Sequence, residues 1–287
     1  MKAILLAGGH GSRLFPTTSF ISKHLIQVYD KPMIYYSLCT VMLSGIREIL
    51  VISSDEYIPM YKQLLGNGSH LGLSIKYKAQ FNPNGIAEAL IIGEDFIGQD
   101  AFQLVLGDNF FYGAGLSSVL SSAVSETFNA TILASSVNNP ENFGVCCFDD
   151  DGTLTTLVEK PKVFLSPWVI TGCYFFCNKA VEIAKILRPS ARNELEITEL
   201  CQVLLEEGRL RVHKLDRGVT WLDLGTPGSI LRAGEFISSV QYRQNRRICC
   251  PEEVALQLGF IDKEQFIHLV RTYPEASYRD YLENLPT

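Results

Sequence analysis

The first third of the chain alternates short, continuously apolar runs with longer segments in which apolar and polar positions recur at helical spacing. Lys2–Ala7 (KAILLA) ends at Gly8-Gly9, the pattern of a parallel strand buried on both faces. Pro32–Ser44 has the length of a helix, with proline at its start and Gly45 as its stop. Glu48–Ser53 reads as a second strand, Tyr57–Leu65 as a helix, and Leu73–Ala79 as an alternating strand. Ala87–Phe96 reads as one helix, and Ala101–Leu106 as a strand that stops at Gly107-Asp108. This order predicts an α/β fold: a Rossmann-like open, mainly parallel sheet flanked by helices and joined by right-handed crossovers. Ligands of such sheets bind beyond the carboxyl ends of the strands, where Gly8-Gly9 and Gly107-Asp108 fall.

The middle of the chain has a different texture. Asn129–Ser136, Gly144–Phe148, Thr153–Glu159, Val169–Cys177 and Leu210–Lys214 read as strands separated by turn residues such as Asp149-Asp150-Asp151-Gly152. Helices over Ala180–Leu187 and Leu195–Glu207 interrupt them. Gly228–Arg246 reads as a long helix and Pro251–Thr287 as further helices. The expected organisation is an α/β core over residues 1–227, including an added sheet region, and a helical C-terminal subregion over residues 228–287.

With 287 residues, 47% of them hydrophobic and 20% charged, the chain is long and apolar enough to fold around a sizeable core. The net charge of -6 argues against a nucleic-acid partner, so an anionic substrate needs local Lys/Arg or a metal ion. No apolar run approaches the ~20 residues of a membrane span. The eight cysteines include no C-x-x-C pair, and a reduced, cytoplasmic protein is expected, with adjacent Cys249 and Cys250 as thiols.

Leu6–Pro16 reads LAGGHGSRLFP. A glycine-rich turn after a buried strand exposes backbone N–H groups and lets a phosphate approach. The Walker pattern fails here, because Gly11-Ser12-Arg13 stands where Gly-Lys-Ser/Thr is needed. The dinucleotide pattern fails too, since Leu14 occupies its third glycine. Arg13 and Lys23 follow the turn on a segment bracketed by Pro16 and Pro32, where the two cations can lie along a polyphosphate.

LAGG-x-G-S-R-L-x-P with Ser22-Lys23 closely resembles the signature of the sugar-1-phosphate nucleotidyltransferases. The resemblance continues through YDKPMIYY (Tyr29–Tyr36), LGDNFFYG (Leu106–Gly113), Glu159-Lys160-Pro161, SARNELEIT (Ser190–Thr198), WLDLGT (Trp221–Thr226) and Cys250–Glu253. It implies attack of a sugar-1-phosphate oxygen on the α-phosphorus of a nucleoside triphosphate, with dTTP and glucose 1-phosphate as leading substrates and UTP or another sugar phosphate as alternatives. It also implies Mg²⁺ held by Asp108 and Asp223, and catalytic roles for Arg13, Lys23 and Asp108. The nucleotide would meet Gly8, Gly9, Gly11, Ser12, Arg13, Lys23, Gln80, Gly85 and Asp108. The sugar phosphate would meet Gly144, Glu159, Lys160, Val169 and Thr171. A retired, non-catalytic binding homologue is the other reading, but it should tolerate loss of the carboxylates, and both are present.

Departures from the family pattern cluster at the base-reading segment, where Phe81, Asn84 and Glu88 stand beside retained Gln80 and Gly85. Ser19, His24, Gln27, Leu224 and Pro227 also depart; His24 is expected to be a packing residue. Family members are commonly homotetramers with an inhibitory nucleotide-sugar site near the segment matching Cys250–Ala255. The usual Tyr-Arg that follows is Leu256-Gln257 here, so weakened end-product inhibition is expected.

Overall fold

A computed structural model describes residues 1–125 and 130–286. β1 (Lys2–Leu6) leads into three short 3-10 turns, at Ser12–Leu14, Thr17–Ser19 and Lys23–Leu25. A two-residue ladder of β2 (Gln27–Val28) and β3 (Lys31–Pro32) precedes α1 (Met33–Leu43). Next come β4 (Glu48–Ser53), α2 (Ile58–Leu65), β5 (Ser74–Ala79), α3 (Glu88–Ile92), α4 (Glu94–Ile97) and β6 (Phe102–Leu106). The middle holds β7 (Asn109–Gly113), α5 (Leu116–Ser125), β8 (Ala130–Ser136), β9 (Gly144–Phe148), β10 (Leu154–Glu159) and β11 (Trp168–Phe176). α6 (Lys179–Ile186), α7 (Ile197–Glu206), β12 (Leu210–Lys214) and β13 (Val219–Asp223) follow. α8 (Pro227–Gln244), α9 (Pro251–Gln257), α10 (Lys263–Arg271) and α11 (Ser277–Glu283) close the described chain.

Nearly every expected element is present, within a residue or two of its expected ends. Asn129 and Thr287, at the edges of two expected segments, lie outside the described residues. Two differences matter. The helix expected over Ala87–Phe96 is split into α3 and α4 at Gly93, where a Cβ would press to 2.7 Å from Ile4 Cδ1 of β1. And β7, which pattern alone did not single out, begins only two residues after β6 and belongs to a different sheet.

The main sheet runs β5-β4-β1-β6-β11-β9-β10, with β8 paired to β11 and β12 paired in parallel to β8. β1 pairs in parallel with β4 on one side and β6 on the other, and β4 pairs in parallel with β5. From β6 onward the pairing turns antiparallel, through β11 to β8 and β9. The parallel half is the Rossmann-like part, and the antiparallel half is the added sheet region. Because the chain runs outward from β1 through β4 to β5 and then returns to place β6 on the other side of β1, a crevice opens at the carboxyl ends of β1 and β6.

Alternate residues of β1 feed two cores. Ala3 and Leu5 join one cluster with α1, α2 and residues of α9–α11 such as Val254, Phe266 and Leu282. Ile4 and Leu6 join a second with Leu90, Val181 and Leu200 on the other face. The C-terminal helices therefore share the core of the parallel half. No described helix is long and apolar enough to cross a membrane.

Candidate active site

β7 and β13 form a two-stranded antiparallel sheet standing off the main one, with Asp223 paired opposite Asn109. That register sets Asp223 beside Asp108, and Leu224 N donates to the Asp108 carbonyl at 2.9 Å. Asn109 secures the arrangement. Its Nδ2 donates to Asp108 Oδ1 at 3.1 Å, while its Oδ1 accepts from Trp221 Nε1 at 2.6 Å and from Gly172 N of β11 at 2.9 Å.

Lys23 meets the same carboxylate from the opposite side, with Nζ 2.5 Å from Asp108 Oδ2. Burial pushes the Asp108 carboxyl up, but the Lys23 charge and the hydrogen bonds from Lys23 and Asn109 outweigh it and hold it below the usual carboxylate range. Asp223 moves the other way. Burial and then the Asp108 charge push it up to about 6, against the pull of Arg13 and Lys23. The Arg13 guanidinium lies against Gly225, where any Cβ would collide with it and would come within 2.9 Å of Asp223 Oδ2. Two cations and two carboxylates thus meet beyond the ends of β1 and β6.

These groups form one wall of a cavity of about 560 Å³. Gly8, Ser12, Arg13, Lys23, Asp108 and Asp223 line it on this side, and Gly144, Glu159, Lys160 and Thr171 line it on the side of the antiparallel half. Glu159 is held from two directions: Arg192 Nη2 donates to its Oε1 at 3.0 Å, and Thr198 Oγ1 donates to its Oε2 at 2.5 Å. Gly144 has no room for a side chain, since a Cβ would sit 2.5 Å from Thr198 Oγ1 and 3.3 Å from Glu159 Oε2.

Some expected residues lie elsewhere. Val169 is fully buried in the core and is not among the lining residues; its neighbours Ile170 and Thr171 are. Gly9 and Gln80 line a second cavity of about 440 Å³ on the far side of the glycine turn, together with Tyr57 and Phe81. Gly11 faces Thr18 and Lys23, and Gly85 packs on the Leu195 backbone. His24 is a packing residue as expected: it is buried, contacts Ser22 Oγ at 3.3 Å, and burial followed by the Lys23 charge lowers its pKa to about 3. Its ring is neutral at ordinary pH.

Arg192, Thr198, Asn109 and Trp221 were missed as individual site residues. All four line the cavity, and each sits inside a segment already matched to the family, which was the available signal.

The profile described as "Nucleotidyl transferase" matches residues 2–240. The chain belongs to the nucleotidyl transferase family. It is 49% identical over 285 residues to the glucose-1-phosphate thymidylyltransferase of Neisseria meningitidis, covering 99% of each chain. With the enzyme of the same description from Mycobacterium tuberculosis the identity is 46% over 285 residues, again 99% of each chain. A crystal structure from Bacillus anthracis assigned to that activity, in complex with sucrose, superposes with a TM-score of 0.76 at 37% identity, over 82% of this chain and 94% of that one. A UDP-glucose pyrophosphorylase complexed with UDP-glucose shares the fold, with a TM-score of 0.72 at 22% identity over 85% of this chain and 99% of that one. As a nucleotidyl transferase, the chain is an enzyme of phosphoryl chemistry on nucleotides, and the cavity at the β1/β6 crevice is where that family membership and the geometry meet.

Proposed function

We propose that the chain transfers a thymidylyl group from dTTP to α-D-glucose 1-phosphate, giving dTDP-glucose and pyrophosphate. The observation that carries this reading is the pairing of Arg13 and Lys23 with Asp108 and Asp223 across from the Glu159–Lys160–Arg192 wall of one cavity. A new bond forms between a sugar-phosphate oxygen and the α-phosphorus, and the bond from that phosphorus to the pyrophosphate oxygen breaks. The attacking oxygen is already ionised, so no general base is required. The barrier falls by positioning two anions and neutralising charge.

In this reading Arg13 and Lys23 draw the triphosphate over the glycine turn, with Gly8 and Ser12 at its edge. Lys160 and Arg192 hold the sugar phosphate, and Glu159, fixed by Thr198 and Arg192, accepts from sugar hydroxyls. The base would lie across the glycine turn, in the second cavity beside Gln80, with Gly85 behind it accepting from the Gln80 amide. Asp108 and Asp223 would hold Mg²⁺. Two buried carboxylates, one of them raised by burial and then by its neighbour's charge, suit a divalent cation, and Mg²⁺ needs only one or two protein carboxylates. When bound, the ion supplies positive charge to the triphosphate. A cytoplasmic homotetramer working at the head of dTDP-deoxysugar synthesis belongs to the same proposal.

The deciding assay is pyrophosphate release with glucose 1-phosphate, Mg²⁺ and each of dTTP, UTP, CTP, GTP and ATP, beside Asp108→Asn. Turnover with dTTP that is lost in the variant is the expected result. Preference for another triphosphate relocates the specificity. Silence with all five, repeated across a panel of sugar phosphates, overturns the reading.

A further inference from the structure

Position 88 carries a carboxylate directly behind Gln80. Gln80 Nε2 donates to Glu88 Oε2 at 2.7 Å and to the Gly85 carbonyl at 3.4 Å, so both amide hydrogens are committed. The second Glu88 oxygen accepts from Asn84 Nδ2 at 2.8 Å. The Gln80 main chain is fixed as well, its N–H donating to the Ser53 carbonyl at 2.8 Å, and the residue is only 5% exposed. The remaining amide group, Oε1, lies over the glycine turn: a Cβ at Gly8 would be 2.6 Å from it.

A carboxylate has no hydrogens to give. It can therefore only face the NH₂ end of a neighbouring amide, whereas a glutamine or asparagine could face either end. We propose that Glu88 is a positioning residue for base selection: it locks the Gln80 carboxamide with its oxygen toward the nucleotide. The inference rests on the reading, given above, that Gln80 faces the base. An acceptor presented there matches the imide N3–H of a 2,4-dioxopyrimidine. Cytosine offers an unprotonated N3 in the same place, and two acceptors facing one another leave both unpaired. Asn84 keeps Glu88 from turning away.

The test compares kcat/KM for dUTP and dCTP, which differ only on the pairing edge, in the wild type and four variants. Glu88→Gln can still accept through its amide oxygen and is expected to keep part of the preference. Glu88→Ala removes the acceptor, and the dUTP/dCTP ratio is expected to fall about 10-fold, equivalent to about 1.4 kcal/mol. Glu88→Lys can only donate; it is expected to turn the amide around and lower the ratio further. Gln80→Ala sets the floor. If Gln80→Ala leaves the ratio where it was, the reading of Gln80 as the base contact fails. If Gln80→Ala shifts the ratio while Glu88→Ala and Glu88→Lys do not, or lower both substrates equally, the role of Glu88 is overturned. Glu88→Gln, closest in shape, provides the comparison should a larger change unfold the protein.

Discussion

A methyl group at Gly225 would occupy the space in which the Arg13 guanidinium lies, and would press on the Asp223 carboxylate as well. Gly225→Ala is therefore expected to displace Arg13 without opening the core. Because a shift of about 1 Å in a positioning group can cost about 100-fold, kcat/KM for the nucleotide should fall 10- to 100-fold, roughly, in steady-state assays. The melting temperature should move far less. His24 offers a second single-residue prediction, in pH. Its native pKa is about 3 against an ordinary 6.5, so between those values the unfolded chain binds a proton that the native protein does not. The stability contributed by the neutral, buried ring is complete above pH 6.5 and declines as pH falls toward 3, with a slope of about 1.4 kcal/mol per pH unit. Urea unfolding at pH 7, 6 and 5 should show this slope in the wild type, reduced by one proton in His24→Gln. An NMR titration of His24 with a midpoint near neutrality would rule the assignment out.

The pair of strands that carries the carboxylates is tied to the main sheet by a polar side chain. Besides the backbone ladder, Asn109 ties β7 to Trp221 of β13, to Gly172 of β11, and to Asp108. Asn109→Ala leaves two buried donors unpaired, each costing about 1–3 kcal/mol, so a loss of about 2–5 kcal/mol is expected in urea melts, together with a fall in turnover as Asp108 loosens. Trp221→Phe keeps the ring against Phe143 and removes one donor, and should cost about 1 kcal/mol. These elements also mark where the sequence was legible. β1, β4 and β6 announced themselves as apolar runs between glycine and polar stops, because both of their faces are buried. β7 did not. Its Phe110 and Phe111 follow β6 after a two-residue turn, and only its long-range pairing with β13 makes it a separate strand. Asp108, Asp223, Arg13 and Lys23, which line one cavity, could be singled out because each sits in a recognisable segment. Arg192 gains its role by reaching Glu159 from another part of the fold, a contact that local pattern does not encode. Val169 shows the converse error: its segment was right, but the strand sets its side chain in the core and gives the cavity to Ile170 and Thr171.

Across the whole molecule, α9–α11 are built into the same core as β1 and α1, and polar ties bind the turn just before α9 to the segment between Lys23 and α1. Lys31 Nζ donates to the Ile248 carbonyl at 2.9 Å, and Arg247 pairs with Asp30. A ligand bound on α9 could thus bear on the elements that hold Lys23. The family resemblance implies an inhibitory nucleotide-sugar site near this segment, with an arginine where this chain has Gln257. Here Gln257 Nε2 donates to Glu253 Oε1 at 3.1 Å, and the other Glu253 oxygen accepts from Tyr281 OH at 2.5 Å. Position 257 therefore presents a neutral amide, paired to a carboxylate whose same oxygen also meets Arg246. A charge-assisted hydrogen bond is worth about 1.5–3 kcal/mol, so inhibition by dTDP-rhamnose should be weaker than with a cation at position 257 by 10-fold or more, roughly. Gln257→Arg should recover part of that difference while leaving the KM for glucose 1-phosphate nearly unchanged. Inhibition curves for the two proteins, measured at the same dTTP concentration, decide the matter. Wild-type inhibition as tight as that of Gln257→Arg would show that this surface binds its effector without a cation at position 257.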